Sequence, residues 1–242
     1  MLLFSLMSDV FQILKSKITY QKLSFIVAVI PALLLGVMLM QKTVNVPFYD
    51  QWELVPKIEN LQQGNFLVDD LWQQHNEHRL FFPRLLMLGS AVLTDWNTNY
   101  EILISFILAI ASFVLLIKTL QTTNRRGLAI PFLLPLVLSV IWFSPVQSEN
   151  WMWGWQIQWF LSVLGVVCCL YGLAQYIDKK QKRAWADFPL LILGGVIAQY
   201  SLGNGILIWP LLIVALIFLE APKIKIYITS AVALITTGIH YF

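Results

Sequence analysis

Long apolar runs broken by short polar clusters set the pattern of this chain. Leu23–Met40 is an uncharged run of 18 residues, and further uncharged stretches follow at Ile102–Ile117, Gly127–Ser148, Asn150–Ile177, Phe188–Leu219 and Ile226–Phe242. A helix crossing a bilayer needs about 20 apolar residues, so each run predicts a membrane span. Phe188–Leu219 has 32 residues. As one helix it would reach about 48 Å, too long for a single crossing. Ser201-Leu-Gly-Asn-Gly205 in its middle is a turn signal, so this run predicts a hairpin of two spans.

Leu80–Thr94 is also apolar, but it has 15 residues and contains Pro83 and Arg84. Charge arbitrates, because Lys and Arg concentrate in cytoplasmic loops. If the segment lies on the membrane surface, Lys15, Lys17, Lys22, Lys118, Arg125, Arg126, Lys179, Lys180, Lys182, Arg183, Lys223 and Lys225 fall inside. Lys42, Lys57, Arg79 and Arg84 then fall outside, a split of 12 to 4. If the segment crosses, every later loop flips and the split becomes 3 to 13. The expected fold is an all-α polytopic bundle forming a single membrane domain over 1–242. Its seven spans are 23–40, 101–118, 127–144, 157–177, 185–201, 203–219 and 225–242. An outer loop, 41–100, holds membrane-surface helices over Asp50–Gln63, Asp69–His75 and Arg79–Thr94, with a break at Gly64. The first span follows three lysines without a small-residue cleavage site and reads as an uncleaved anchor with a cytoplasmic N-terminus. Met1–Leu14 reads as a short amphipathic surface helix. The last apolar run reaches Phe242 with no polar tail, so the chain is expected to be a piece of a longer protein.

Composition agrees with that class and removes others. The chain is 58% apolar and only 12% charged, with mean hydropathy +0.72 and net charge +3. That charged fraction is about half the ordinary share, which excludes a disordered chain, a basic nucleic-acid binder and almost any soluble enzyme. Cys168 and Cys169 are adjacent within an apolar run and carry no information on redox compartment. The spans hold almost no charge, which argues against ion pumps and proton-coupled transporters.

Under this topology nine of the 13 acids lie outside, and they gather around a few motifs. In Pro47-Phe-Tyr-Asp50-Gln-Trp52-Glu53, Asp50 is an acid beside the membrane among aromatics. It suits a general base or a cation ligand, or alternatively a helix cap. In His75-Asn-Glu77-His78-Arg79, the histidines are spaced to share a helical face. Arg79 and Arg84 lie where a lipid phosphate would sit, with snorkelling as the plainer alternative. Between the third and fourth spans, Glu149 is the only charged residue from Gly127 to Ile177. Five of the ten tryptophans fall between Trp142 and Trp159. Trp153 can stack on a sugar ring and Gln156 can hydrogen-bond one, although tryptophan also marks membrane interfaces. Tyr200-Ser-Leu-Gly203-Asn-Gly205 reads as a mainly structural turn. No Gly-rich phosphate loop, nucleophile elbow or zinc-site Cys/His spacing is present.

A first span, a large loop of surface helices with an acid just after the span, and a second acid in the next outer loop resemble the GT-C class of integral-membrane glycosyltransferases. That class includes protein O-mannosyltransferases, aminoarabinose transferases and oligosaccharyltransferases. The strings that carry the resemblance are Phe48-Tyr-Asp50-Gln-Trp52, His75-Asn-Glu-His-Arg79 with Phe82-Pro-Arg84, and Glu149-Asn-Trp with Gly154-Trp-Gln156, and they look like a bacterial branch. The resemblance implies transfer of a sugar from a polyprenyl-phosphate donor to an acceptor at the outer face of the cytoplasmic membrane. Asp50, Glu77 and Glu149 would be the catalytic acids. His75, His78, Arg79, Arg84, Trp52, Trp153 and Gln156 would bind substrate. Asp50 and Glu149 would be ligands to a divalent cation, Mg²⁺ or Mn²⁺. The expected partners are a lipid-linked sugar and membrane lipids, with no nucleic acid. The alternatives are a non-catalytic or truncated module that binds lipid-linked sugar, and a small transporter or flippase subunit.

Overall fold

The computed structural model describes residues 23–124, 133–178 and 187–241, and these are almost entirely helical. Among the described residues three helices are long and apolar enough to cross a membrane: α1 (Leu23–Lys42), the helix over Asn99–Thr123 and the helix over Gly154–Ile177. They coincide with the predicted spans 23–40, 101–118 and 157–177. At 20 residues, α1 reaches about 30 Å, the thickness of a hydrocarbon core.

The segment after α1 departs from the predicted helices. In place of one helix over Asp50–Gln63, a 3₁₀ turn, Tyr49–Leu54, precedes α2 (Val55–Gln62). Pro56 explains the change, because proline suits the first turn of a helix and disrupts its interior. The expected break follows at Gly64, whose φ is +72°. In place of a helix over Asp69–His75 there is a single turn, α3 (Val68–Trp72). A two-stranded hairpin comes next, β1 (Gln74–His75) and β2 (His78–Arg79), antiparallel with His75 opposite His78. The two histidines therefore do not share a helical face. They are cross-strand partners, and Asn76 in the connecting loop takes the left-handed conformation the turn demands, φ +49°. Next is α4 (Phe81–Thr94), an apolar helix of 14 residues. Its length is about 21 Å, which is short for a crossing.

The remaining helices are α5 (Asn99–Asn124), α6 (Leu134–Trp142), α7 (Ser148–Met152), α8 (Ile157–Asp178), α9 (Phe188–Gln199), α10 (Ile208–Phe218) and α11 (Lys223–Tyr241). Of the predicted 127–144 span, 127–132 lies outside the described residues, as do 185–186 of the 185–201 span and all of Met1–Leu14. The predicted turn at Ser201–Gly205 is present as a 3₁₀ turn, Gly203–Leu207, between α9 and α10.

Among the described residues packing divides into three apolar clusters. Leu35, Leu39, Ile102, Ala109 and Trp151 join α1, α5 and the segment before α8. Leu191, Trp209, Leu212 and Leu216 lead the cluster that joins α8, α9, α10 and α11. Leu54, Leu80, Met87, Trp155 and Ile157 form a floor beneath the 49–94 segment. The α8–α9 crossing is close because glycines face each other. A Cβ on Gly194 would lie 2.6 Å from the Gly165 carbonyl oxygen, the small-residue contact common between membrane helices.

Candidate functional site

The Tyr49–Leu54 turn and the hairpin bring three potential ligands together. Ligand atoms of Asp50, Glu53 and His75 all lie within 4.8 Å of one another. His75 sits between the acids, with Nδ1 2.9 Å from Glu53 Oε2 and Nε2 3.6 Å from Asp50 Oδ2. Asp50 and Glu53 are close to half exposed at their side chains, 42% and 49%, whereas His75 is 9% exposed. The imidazole thus forms the back of the cluster and the carboxylates its mouth. Trp155, 1% exposed, packs edge-on against the His75 ring at 5.2 Å. Two carboxylates and one imidazole are a donor set that suits Mg²⁺ or Mn²⁺, and the nitrogen favours Mn²⁺.

The turn that carries the carboxylates is rich in aromatic rings. Phe48, Tyr49 and Trp153 form a triangle with centroid separations of 4.2, 5.9 and 5.9 Å. Trp52, 56% exposed, meets Trp96 edge-on at 6.2 Å. Tyr49, immediately before Asp50, has φ +46°, a region that costs a non-glycine residue free energy and persists only where neighbours enforce it. Two hydrogen bonds enforce it here. Gln51 Oε1 accepts the Phe48 N–H at 3.0 Å, and the Trp153 indole donates to the Phe48 carbonyl at 3.0 Å.

The two predicted phosphate-binding arginines are engaged with the backbone. Arg84 is 2% exposed and donates to the carbonyls of Leu71 and Gln73. Arg79 donates to the Trp72 carbonyl at 3.0 Å and to the His240 carbonyl at 2.9 Å, with its guanidinium over the Trp72 ring. Together they satisfy the carbonyls at the end of α3, a favourable place for cations. Burial holds the Arg84 and Lys57 pKa values below the ordinary ones; the Arg84 charge adds to this in Lys57, and the Arg79 charge adds to it in Arg84. Glu53 opposes the shift in both. Glu53 therefore has buried positive charge behind it.

The other predicted residues lie apart from the cluster or in its support. His78 Nδ1 accepts the Gly203 N–H at 2.9 Å, which ties the hairpin to the α9–α10 turn. Burial lowers the His78 pKa from its usual value. Glu77 is exposed, with its carboxylate 3.5 Å from His78 Nε2. Glu149 is exposed in the first turn of α7 and is not among the clustered ligands; Glu53 and His75 stand with Asp50 instead. Gln156 is buried, and its Oε1 has no hydrogen-bond partner among the described residues.

Sequence reasoning did not single out Glu53 or Glu101. Glu53 looked like the first turn of a helix, and only the 3₁₀ turn aims it at His75. Glu101 is fully buried at the start of α5 and accepts a 2.6 Å hydrogen bond from Gln51 Nε2. An acid at the edge of a long apolar run is a signal that would have found it. Searches of known protein families, curated proteins and solved structures give no match to this chain.

Proposed function

We propose that this chain is a membrane module of the GT-C type, which moves a sugar from a polyprenyl-phosphate donor to an acceptor at the outer face of the cytoplasmic membrane. The observation that carries the reading is the convergence of Asp50, Glu53 and His75 just beyond the first candidate span, under exposed aromatic rings. In this reading α6, α9, α10 and α11 complete the seven crossings, and the 41–100 segment lies on the outer face. An apolar groove of about 570 Å³ runs between α1 and α5 past Ala32, Gly36, Phe106 and Ile110, and it suits an isoprenoid chain.

The chemistry follows from positions. Asp50, at the mouth, accepts the proton of the acceptor hydroxyl. The acceptor oxygen then attacks the sugar C1 opposite the phosphate. The C1–O electrons leave with the polyprenyl phosphate, and the configuration inverts. Trp52, Tyr49 and Trp153 offer ring faces to the sugar. Asp50, Glu53 and His75 would hold a divalent cation, which supplies Lewis-acid stabilisation of phosphate charge. Glu77 and Glu149 remain exposed acids for acceptor contacts.

A second reading has one observation in its favour. Arg79 and Arg84 spend their guanidinium groups on backbone carbonyls, which leaves the leaving phosphate without the expected arginine fork. That suits a non-catalytic module that binds lipid-linked sugar. A transfer assay with polyprenyl-phosphate sugars, with Mn²⁺ or with a chelator, separates the two. Transfer that is lost in Asp50→Asn while the protein stays folded supports the enzyme. Undiminished transfer in that variant contradicts the role given to Asp50. Donor binding without transfer in the wild type supports the module.

A further inference from the structure

We infer that Glu101 is a positioning residue for the Asp50–Glu53–His75 cluster and acts through Gln51. The inference rests on reading that cluster as a cation site. Gln51 lies inside the turn that carries two of the three ligands, and its amide is used at both ends. Oε1 closes the turn on the Phe48 N–H at 3.0 Å, and Nε2 donates to Glu101 Oε2 at 2.6 Å. Glu101 belongs to the first turn of the 26-residue α5. It therefore anchors the short turn to one of the longest rigid elements of the fold.

The burial of Glu101 needs a reason. It is 0% exposed, its Oε1 makes no well-formed hydrogen bond among the described residues, and only the Gln51 amide and, less directly, the Trp96 indole favour its charged form against burial. A buried carboxyl group is costly unless its interactions are specific. The specific interaction here is with the side chain next to Asp50. Gly154 covers the pair: a Cβ there would collide with the Glu101 carboxylate and lie 2.6 Å from Gln51 Nε2. Bare backbone at Gly154 lets its neighbours reach the cluster from the same side. Trp153 bonds to the Phe48 carbonyl, and Trp155 packs on His75. One contact, Glu101–Gln51–Gly154, thus joins the turn bearing Asp50 and Glu53, the helix α5 and the packing partner of His75. The left-handed Tyr49 is the strained piece that this contact holds in place.

The test is a side-chain swap in the full chain in nanodiscs, read by hydrogen exchange and by Mn²⁺ affinity. Gln51→Glu sets two carboxylates against each other. It should raise exchange selectively in the 48–54 segment and weaken Mn²⁺ binding by about tenfold or more, the loss typical of an outer-shell partner. The double variant Q51E/E101Q restores an amide–carboxylate pair and should return both readouts toward wild type. Glu101→Gln alone, which still offers an acceptor, should change them little. Unchanged exchange in 48–54 for Gln51→Glu overturns the inference, as does failure of the swap to rescue. If Gln51→Glu does not fold, Gln51→Met replaces it, and selective exchange in 48–54 decides in the same way. If the wild type binds no Mn²⁺, the cation reading fails, while exchange still decides the role of Glu101.

Discussion

His75 and His78 are register partners in one two-residue hairpin, yet they serve different regions of the molecule. His75 faces the 49–54 turn, where it meets two carboxylates and the edge of Trp155. His78 faces the helical half, where its Nδ1 accepts the Gly203 N–H at the start of the α9–α10 turn. On the His75 side the partners are charged, part-exposed and beside a strained residue. On the His78 side the hydrogen-bond partner is a backbone N–H at a close-packed corner, with only the exposed Glu77 carboxylate on its other nitrogen. In the proposed reading one side exchanges its partners for a cation while the other fixes the platform, so the cluster depends on a hairpin held from behind by packing.

The largest effect is expected on the platform side. A Cβ on Gly205 would collide with the carbonyl of Ala198, and neither backbone can yield cheaply. Gly205→Ala should destabilise the protein by about 3 kcal/mol or more. A thermal-unfolding scan that shows wild-type stability would refute the corner as described. The paired histidine variants come next. His75→Ala should weaken Mn²⁺ binding by at least the ~10–100-fold that a lost outer-shell partner costs, with little change in melting temperature. His78→Ala should do the reverse, with a loss of about 1 kcal/mol from the unpaired Gly203 N–H and near-normal Mn²⁺ affinity. Equal effects from the two variants would erase the distinction.

The smallest effect is in pH. Burial lowers the His78 pKa from its usual 6.5, so below that pH the unfolded chain binds the proton more readily than the folded one. The His78 contribution is therefore complete above about pH 6.5 and is lost as pH falls toward the lowered folded value. His78→Asn keeps an acceptor near the Gly203 N–H and cannot titrate. Melting curves from pH 7.5 to 5 should fall less steeply for this variant than for the wild type, and parallel curves would assign the slope elsewhere.

Much of the helical frame was legible in the sequence. The runs behind α1, α5 and α8 are long and uncharged, so length alone identifies them as candidate spans. The Ser201–Gly205 turn and the Gly64 break were legible because glycine is the local cause of both. The hairpin was not. Gln74–Arg79 has no alternating apolar pattern and no β-branched residue; its shape comes from remote contacts such as Gly203 on His78 and His240 on Arg79. For the same reason the motif residues were legible but their contacts were not. Asp50 and His75 fall in one cluster. Glu149, expected beside Asp50, lies exposed on α7, and Arg84 is buried against carbonyls. Glu101 is marked only by its place at the edge of the α5 apolar run; the partner that gives it a role, Gln51, lies 50 residues away.

In the proposed reading His75, and not His78, is the nitrogen ligand of a cation held with Asp50 and Glu53. Electron spin echo spectroscopy of Mn²⁺ bound to protein carrying ¹⁵N-labelled histidine measures this directly. Coupling to one imidazole nitrogen should persist in His78→Ala and vanish in His75→Ala. A signal without imidazole coupling, or one lost with His78, would contradict it.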